Sequence, residues 1–124
     1  MGMGPVHAMT PIMQRHQLSI DDIDYWEINE AFATQVLGCV KAWNQDDYCK
    51  QNLGIDKAIG EIPYERLNID GGGVSLGHPV GASGARILLH LCKVLQRKQA
   101  KRGMASLCIG GGQGGAMLIQ NEAL

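Results

Sequence analysis

The sequence predicts an α/β protein in which helices are layered on a small sheet. Short segments rich in β-branched and aromatic residues alternate with segments of helical periodicity along the 124 residues, and this alternation is typical of layered α/β folds. The predicted order is helix, strand, helix, strand, helix, strand, strand, without internal repeats. A chain of this length buries about two thirds of its unfolded surface, which is enough for one core.

The first part of the chain is predicted to form a helix, a strand and a second helix. Thr10 followed by Pro11 is typical of an N-cap and a first helical residue, so a short helix is expected from there to residues 16–18. Residues 25–28 combine aromatic and β-branched side chains, which favour a short strand. Residues 31–43 are predicted to be helical because apolar side chains recur there at nearly helical spacing. These side chains are Phe32, Val36, Leu37, Val40 and Trp43.

The middle of the chain is less regular. Residues 44–63 are polar and mixed in composition, and we interpret them as a surface excursion with one helical turn. Residues 67–70 are predicted to form a brief strand that runs into the three glycines 71–73.

The last third is predicted to hold one long helix followed by a hairpin. Ser83 is a suitable N-cap, the helix is expected to continue to about Arg102, and Gly103 is expected to end it. Residues 104–109 and 116–119 are predicted strands, and the short glycine-containing connection permits an antiparallel hairpin. The expected apolar face of the helix comprises Ile87, Leu88, Leu91, Cys92 and Leu95, with His90 and Lys93 off that face.

Composition excludes several classes of protein. The formal net charge is −1 and no long basic run is present, which disfavours a nucleic-acid partner. No apolar run is long enough to span a membrane, and residues 1–5 do not resemble a signal peptide. The four cysteines show no C-x-x-C pairing, so neither a metal site nor a disulfide framework is predicted. Reduced thiols and a cytoplasmic location are expected instead.

Two glycine-rich segments each contain one reactive side chain. Cys108 shortly precedes the glycines 110–112, whose amide N–H groups favour a thiolate or an oxyanion nearby. His78 lies in the segment 77–84, where glycines clear space around the ring and Pro79 restricts the backbone. An imidazole there can deprotonate a thiol or stabilise developing negative charge. The alternatives are a buried structural cysteine and a surface histidine.

The segment Asn29-Glu30-Ala31 lies at the predicted junction between a strand and a helix. One interpretation is that Asn29 caps the helix and Glu30 interacts with its dipole. The other is that Asn29 orients a water molecule or a carbonyl group. The remaining histidines and cysteines have no partner at ligand spacing and are interpreted as structural or surface residues. They are His7, His16, His90, Cys39, Cys49 and Cys92, the last of these in a helix core.

Three motifs in this order resemble the thiolase family, and more specifically the C-terminal half of an acetyl-CoA acetyltransferase or acyltransferase. They are the segments 29–33 (Asn-Glu-Ala-Phe-Ala), 77–86 (Gly-His-Pro-x-Gly-Ala-Ser-Gly-x-Arg) and 108–114 (Cys-Ile-Gly-Gly-Gly-x-Gly). The resemblance extends over essentially all of residues 1–124 and implies a five-layered α-β-α-β-α fold of two similar halves. This chain would supply most of the second half, a layered α-β-α sheet.

The resemblance also implies a reaction and a missing part. The family performs ping-pong acyl transfer on coenzyme A thioesters, which are substrates, and needs no further cofactor. Residues 1–6 match an interior stretch of the family, so residues 1–124 are expected to be a truncated C-terminal domain. The nucleophilic cysteine is expected in the N-terminal half, and the chain alone is expected to be inactive. The complete protein is expected to be a homo-oligomer, and the length of segment 44–63 hints at the degradative, β-oxidation type.

The family roles that carry over involve four residues. His78 would activate the nucleophile and contribute to a first oxyanion hole, beside a water held by Asn29. Cys108 would remove the α-proton of acetyl-CoA and protonate the leaving group. The N–H group of Gly110 would serve a second oxyanion hole, where one donor contributes about 10²–10³ in rate.

Three further residues are expected to contact the substrate. Phe32 is expected near the pantetheine of coenzyme A, with plain core packing as the alternative, and Gly77 and Ser83 are expected in the substrate site. The alternative function is a stand-alone module that binds coenzyme A or a nucleotide, but neither G-x-x-x-x-G-K-[ST] nor G-x-G-x-x-G at a strand-to-helix junction is present. A metal site from His78 and Cys108 would lack a third ligand.

Overall fold

A computed structural model describes residues 2–123 and confirms the α/β class. The helices are α1 (Gly4–Arg15), α2 (Ala33–Trp43), α3 (Asp46–Tyr48), α4 (Gly73–Leu76) and α5 (Ser83–Lys98), and the strands are β1 (Tyr25–Ile28), β2 (Arg102–Ile109) and β3 (Gln113–Gln120). Strand β1 lies parallel to β2, and β2 pairs antiparallel with β3, so the sheet order is β1-β2-β3. The predicted hairpin is therefore confirmed. In the described residues no helix has the length and apolarity needed to cross a membrane.

The sheet separates two hydrophobic clusters. Helix α1 packs against β2 and β3, whereas α5 packs against β1 and β2. Met104 belongs to the larger cluster and its neighbour Ala105 to the smaller one, as expected for a strand whose side chains alternate between faces. In the larger cluster Trp26 and Trp43 meet edge to face, with ring centroids 5.6 Å apart. Helices therefore cover both faces of β2.

The first helix begins at Gly4, seven residues before the predicted first helical residue, Pro11. Pro5 lies in its first turn, where a missing amide N–H costs nothing, and Pro11 is inside the helix. Thr10 is not the N-cap. Its buried hydroxyl donates to the Val6 carbonyl oxygen at 2.6 Å and accepts from the Trp43 indole at 2.9 Å. These two hydrogen bonds, one within α1 and one to α2, support the helix across Pro11, which removes one internal hydrogen bond.

The strand predicted at residues 67–70 is wrong. Leu67 forms a single bridge to Trp26, and Asn68 then adopts the left-handed region at φ 48°. The Asn68 amide takes the place of a strand: its Oδ1 accepts from the Ile28 N–H at 2.9 Å, and its Nδ2 donates to the Ile28 carbonyl at 2.8 Å. Asparagine tolerates this backbone region because its side chain is short and polar.

Replacing Asn68 by alanine is expected to destabilise the chain by about 2–3 kcal/mol, because both backbone groups of Ile28 lose their partner and alanine disfavours the left-handed region. Urea denaturation followed by circular dichroism measures the change. Asn52→Ala is the matched control, since that side chain is exposed and bonds only to the carbonyl of Tyr48. Equal stability of the two variants would contradict the strand-like role of Asn68.

The last helix ends earlier than predicted. It stops at Lys98, and Gln99 adopts the left-handed conformation at φ 53°. Gly103 lies inside β2 and does not end the helix; a Cβ at this position would come within 2.9 Å of the Leu91 side chain. Glycine is therefore needed there for close packing between α5 and the sheet. Most of the predicted apolar face is buried, with Val94 added to it: Ile87, Leu91, Val94 and Leu95.

Residues 44–63 contribute to the core and are not wholly a surface excursion. Helix α3 continues into the π-helical turn Cys49–Leu53. Cys49 and Ile62 are completely buried and belong to the larger hydrophobic cluster. The sequence pattern does not predict these two core residues, because two apolar side chains about a dozen residues apart show no detectable periodicity.

Candidate active site

Asn29 and Cys108 lie toward the carboxyl ends of the two parallel strands. Asn29 directly follows β1, and its N–H donates to the Ser106 carbonyl at 2.9 Å. Cys108 lies two residues beyond Ser106 on β2. In α/β sheets this edge is where ligands bind, because the loops that leave the strands converge there. The sheet therefore brings the two predicted site residues to one edge.

Cys108 is half-buried beside an exposed glycine turn. Its Cα pairs with that of Gly114, and the residues 110–112 connect β2 to β3. Gly111 and Gly112 have φ values of 81° and 78°, a region that favours glycine. Gly110 is exposed. The turn thus keeps the thiol accessible and leaves space around it.

The first turn of α1 packs against this hairpin. A Cβ at Gly4 would lie 2.6 Å from the Gln113 carbonyl oxygen and 3.2 Å from Gly114 Cα, so the two backbones are in direct contact. The buried Ser106 hydroxyl reinforces the contact, since it lies 2.9 Å from the Gly115 carbonyl oxygen and 3.3 Å from that of Pro5. The start of α1 therefore lies directly against the strand pair that carries Cys108.

His78 is held by the first residue of α5. Its Nδ1 lies 2.6 Å from the hydroxyl oxygen of Ser83, which is completely buried. The preceding Gly77 has φ 96°, and the N–H groups of Ala82 and Ser83 both donate to the Pro79 carbonyl. The ring is therefore oriented through Nδ1, and Nε2 has no hydrogen-bond partner among residues 2–123. An imidazole held in this way can exchange a proton through Nε2.

The histidine loop adjoins the carboxyl end of β2. A Cβ at Gly84 in the first turn of α5 would lie 3.6 Å from Leu107 Cδ1, and Leu107 immediately precedes Cys108. No hydrogen bond joins Asn29, His78 and Cys108 directly within the described part of the chain. The three groups lie at one edge of the sheet without bonding to one another.

Asn29 does not cap α2. The N-cap position is occupied by Phe32, whose side chain makes no capping bond. Asn29 is 2% exposed, and neither its Oδ1 nor its Nδ2 has a partner among the described residues. Buried side-chain amides usually have a hydrogen-bond partner, and orientation of a water or a carbonyl group by Asn29 stays a prediction.

Glu30 has a role that its position in the sequence does not indicate. It is not part of α2; instead, Oε1 accepts from the Val74 N–H at 3.2 Å and Oε2 accepts from Asn68 Nδ2 at 3.1 Å. Gly73 permits this approach, since a Cβ there would lie 2.7 Å from the Glu30 carbonyl oxygen. Glu30 thereby ties the loop that bears Asn29 to α4, the helix that leads into the histidine loop.

Phe32 is 62% exposed, so the core-packing alternative is wrong for this residue. Leu37 on the same helix is also exposed, although both side chains fit the helical apolar pattern. A cavity of about 440 Å³ lies along α2 and is lined mainly by apolar side chains, among them Ala33, Val36, Leu37, Tyr64 and Val74. This surface is accessible to a ligand or to another part of a longer protein.

The other cysteines have different environments. Burial raises the pKa of the Cys39 thiol to about 11, so it stays protonated at neutral pH. Cys49 is completely buried, and Cys92 is half-buried on α5. Within residues 2–123 no group of three or more His, Cys, Asp or Glu side chains is arranged to hold a metal ion. These environments agree with a structural interpretation of Cys39 and Cys49.

The chain is thus an α/β domain that brings a cysteine loop, a histidine loop and a buried asparagine to one edge of its sheet. Residues 1–121 match the family described as "Thiolase, C-terminal domain". The chain therefore belongs to the thiolase family.

Individual relatives agree with this assignment. The chain is 47% identical over 120 residues to an acetyl-CoA acetyltransferase of Escherichia coli K12, covering 97% of this chain and 26% of that one. A 3-ketoacyl-CoA thiolase of Aliivibrio salmonicida is 42% identical over 120 residues, covering 97% of this chain and 27% of the relative. The chain thus spans about a quarter of the length of the curated relatives it matches.

Solved structures show the same fold. The acetyl-CoA acetyltransferase of Syntrophomonas wolfei superposes with a TM-score of 0.79 at 40% identity, covering 98% of this chain and 28% of that one. Human mitochondrial 3-ketoacyl-CoA thiolase in complex with CoA gives a TM-score of 0.78 at 38% identity, covering 97% and 26%. The expected thiolase-like fold is confirmed.

Proposed function

We propose that this chain supplies the acid–base groups of a thiolase. The thiolase acts on acetyl-CoA or 3-ketoacyl-CoA, and its nucleophilic cysteine comes from outside residues 1–124. The placement of Asn29 and Cys108 toward the carboxyl ends of adjacent parallel strands carries the proposal. Cys108 is the proposed proton-transfer group, and Asn29 is a buried amide that has no partner in the described residues.

The first half-reaction is acylation of the nucleophile. His78 Nε2 takes the proton of the nucleophilic thiol, and the resulting thiolate attacks the acyl-CoA thioester. The carbonyl oxygen gains negative charge in a site formed by His78 and by a water that Asn29 holds. The C–S bond to coenzyme A then breaks, and the Cys108 thiol gives its proton to the leaving coenzyme A thiolate, so that Cys108 becomes a thiolate and His78 keeps its proton.

The second half-reaction forms the carbon–carbon bond. The Cys108 thiolate removes the α-proton of acetyl-CoA, and the Gly110 N–H stabilises the enolate oxygen. The α-carbon attacks the acylated nucleophile, whose thiolate is expelled and takes its proton back from His78. In the reverse direction, thiolysis, the Cys108 thiol protonates the acetyl-CoA carbanion as it leaves.

Substrate binding and assembly extend this proposal. Exposed Phe32 and the apolar cavity along α2 are suited to the pantetheine arm, and exposed Gly77 is suited to the acyl group. Ser83 is completely buried, so it acts on the site through His78 and not by contact with the substrate. Exposed apolar side chains such as Val74 and Leu76 suit contact with the rest of a thiolase chain and with further copies in a homo-oligomer. Four free cysteines suit a cytoplasmic location. The 3-ketoacyl-CoA thiolases among the relatives support a degradative role in β-oxidation of fatty-acyl thioesters.

The test is thiolysis of acetoacetyl-CoA by the chain alone and after mixing with the N-terminal portion of the Escherichia coli relative. Activity is expected only in the mixture, because the nucleophile is supplied by the second polypeptide. Activity of the chain alone would contradict the proposal, since one of its own cysteines would then be the nucleophile. The N-terminal portion without this chain is the control.

A further inference from the structure

One face of α5 carries three polar side chains at equal intervals. Ser83, His90 and Arg97 are spaced by seven residues, which is close to two helical turns and places them on the same side of the helix. Ser83 holds His78, as described above. His90 and Arg97 make contacts that the proposed reaction does not use.

His90 bridges two carboxylates from different parts of the chain. Its Nδ1 contacts the carboxylate of Glu27 on β1, and its Nε2 lies 2.7 Å from Asp70 Oδ2. Arg97 Nη2 donates to the same Asp70 oxygen at 2.6 Å. The Glu27 side chain is 3% exposed and that of His90 24% exposed, so the Glu27 end of the bridge is protected from water, whereas the Asp70 side chain is 39% exposed.

The bridge joins the segments that carry the candidate site. Glu27 lies two residues before Asn29, and Asp70 precedes α4 and the loop that contains His78. His90 belongs to the helix whose first residue, Ser83, orients the His78 ring. Glu30 adds a second link, between the Asn29 loop and α4. Displacement of α5 relative to β1 would therefore move Ser83 and His78 relative to Asn29.

The bridge needs one proton more than a neutral imidazole supplies. A neutral ring has one N–H, so it can donate to only one of the two carboxylates. The second contact requires either an imidazolium or a protonated Glu27 carboxyl group. Burial raises the pKa of Glu27, an effect opposed by the hydrogen bond from His90 and by nearby Arg86. Loss of the extra proton leaves a buried carboxylate facing an imidazole lone pair.

Other charges surround the bridge. Glu30 and Arg86 act on the Glu27 carboxylate, and Arg97 shares Asp70 with His90. The other titratable or charged side chains on the elements packed around His90 are Tyr25 of β1, Cys92, Lys93 and Lys98 of α5, and Arg102 and Cys108 of β2. Arg97 keeps the pKa of Asp70 below its ordinary value, with a smaller contribution from His90, so Asp70 is ionised at neutral pH. The titrating proton is therefore the one shared by Glu27 and His90.

The geometry points to Glu27, His90 and Asp70 as a positioning network. The network holds the His78 loop in a fixed position relative to Asn29 at the end of β1. It does so only while the proton between Glu27 and His90 is present. This inference rests on the proposed function for its significance, because it names residues that place the proposed proton-transfer group. Its sign follows from burial, which raises the pKa of Glu27 above its ordinary value. The restraint is therefore complete below that ordinary value and is lost as pH rises through the raised pKa of Glu27.

The test is amide hydrogen exchange in the 124-residue chain, with protection factors corrected for intrinsic pH dependence. The loop reporters are the N–H groups of Ala82 and Ser83, which donate to Pro79, and the core reporter is Met104. His90→Ala is expected to lower loop protection about tenfold relative to the core. A general structural role would lower loop and core protection together, and that result would overturn the inference.

Glu27→Gln is the matched variant. An amide can either donate to or accept from a neutral imidazole, so this variant retains the contact without the extra proton. As pH rises through the raised pKa of Glu27, wild-type loop protection is expected to fall, whereas that of Glu27→Gln stays constant. An identical pH profile in both proteins would contradict the inference, and this comparison remains available if His90→Ala does not fold. Neither result depends on acyl transfer, so a failed mixing experiment and a failed exchange experiment are distinguishable.

Discussion

Replacing Cys108 by alanine is expected to abolish condensation of acetyl-CoA in the enzyme reconstituted from both halves, while acylation of the nucleophile continues. The methyl group cannot take the α-proton, and general acid–base groups contribute about 10²–10⁴ in rate. The acylation step is expected to slow but to continue, because His78 and Asn29 stay in place and a coenzyme A thiolate can leave without first gaining a proton. Transfer of labelled acetyl groups to protein and formation of acetoacetyl-CoA measure the two steps separately.

Cys92→Ala is the matched control for this prediction. Cys92 is also a half-buried free cysteine, but it lies on α5 outside the site. The control is expected to retain both steps. Equal loss of acylation and condensation in Cys108→Ala would contradict the role of Cys108, because it would indicate a general disruption or a nucleophilic function.

Replacing Gly114 by alanine is expected to have the largest effect on stability, about 3 kcal/mol. A Cβ at this position would lie 2.9 Å from Gly4 Cα and still closer to the Gly4 carbonyl group. These are backbone atoms at the start of α1, and they cannot move without separating that helix from β3. The loss of stability can be measured by urea denaturation.

Gly81→Ala is the control for the stability prediction. No atom lies within 4 Å of a Cβ at Gly81, so the methyl group enters open space. Its free energy of unfolding is expected to stay within about 0.5 kcal/mol of the wild type. If Gly114→Ala were as stable as Gly81→Ala, the close contact between α1 and the hairpin would be contradicted.

Local patterns predicted the regular elements well. Strand β1, helix α2 and the C-terminal hairpin follow from β-branched residues, helical spacing and a glycine connection, each of which is a property of neighbouring residues. The errors at α1 and α5 concern helix ends. Thr10 stays inside α1 because Val6 and Trp43 bond to its hydroxyl, and Gly103 lies in β2 because Leu91 packs against it. The partners outside the local helix turn, Trp43 for Thr10 and Leu91 for Gly103, could not be read from the neighbouring residues.

The candidate site divides in the same way. The cysteine, histidine and asparagine motifs are visible in the chain because each combines a reactive side chain with glycine or a strand end. The contacts of Glu30 and His90 have no local signal. Glu30 bonds to Val74, 44 residues away, and His90 contacts Glu27, 63 residues away. A single sequence does not show which distant residues come into contact.

The sequence by itself determined the α/β class, the order of most elements and the three motifs that resemble a thiolase, since these depend on composition and spacing within short segments. Only the tertiary structure decided that an asparagine side chain replaces a strand at residue 68, that Phe32 is exposed, and that His90 bridges Glu27 and Asp70. The physical reason is that burial and hydrogen-bond partners are set by packing between distant segments. Side chains of the same type consequently acquire different roles once the chain has folded.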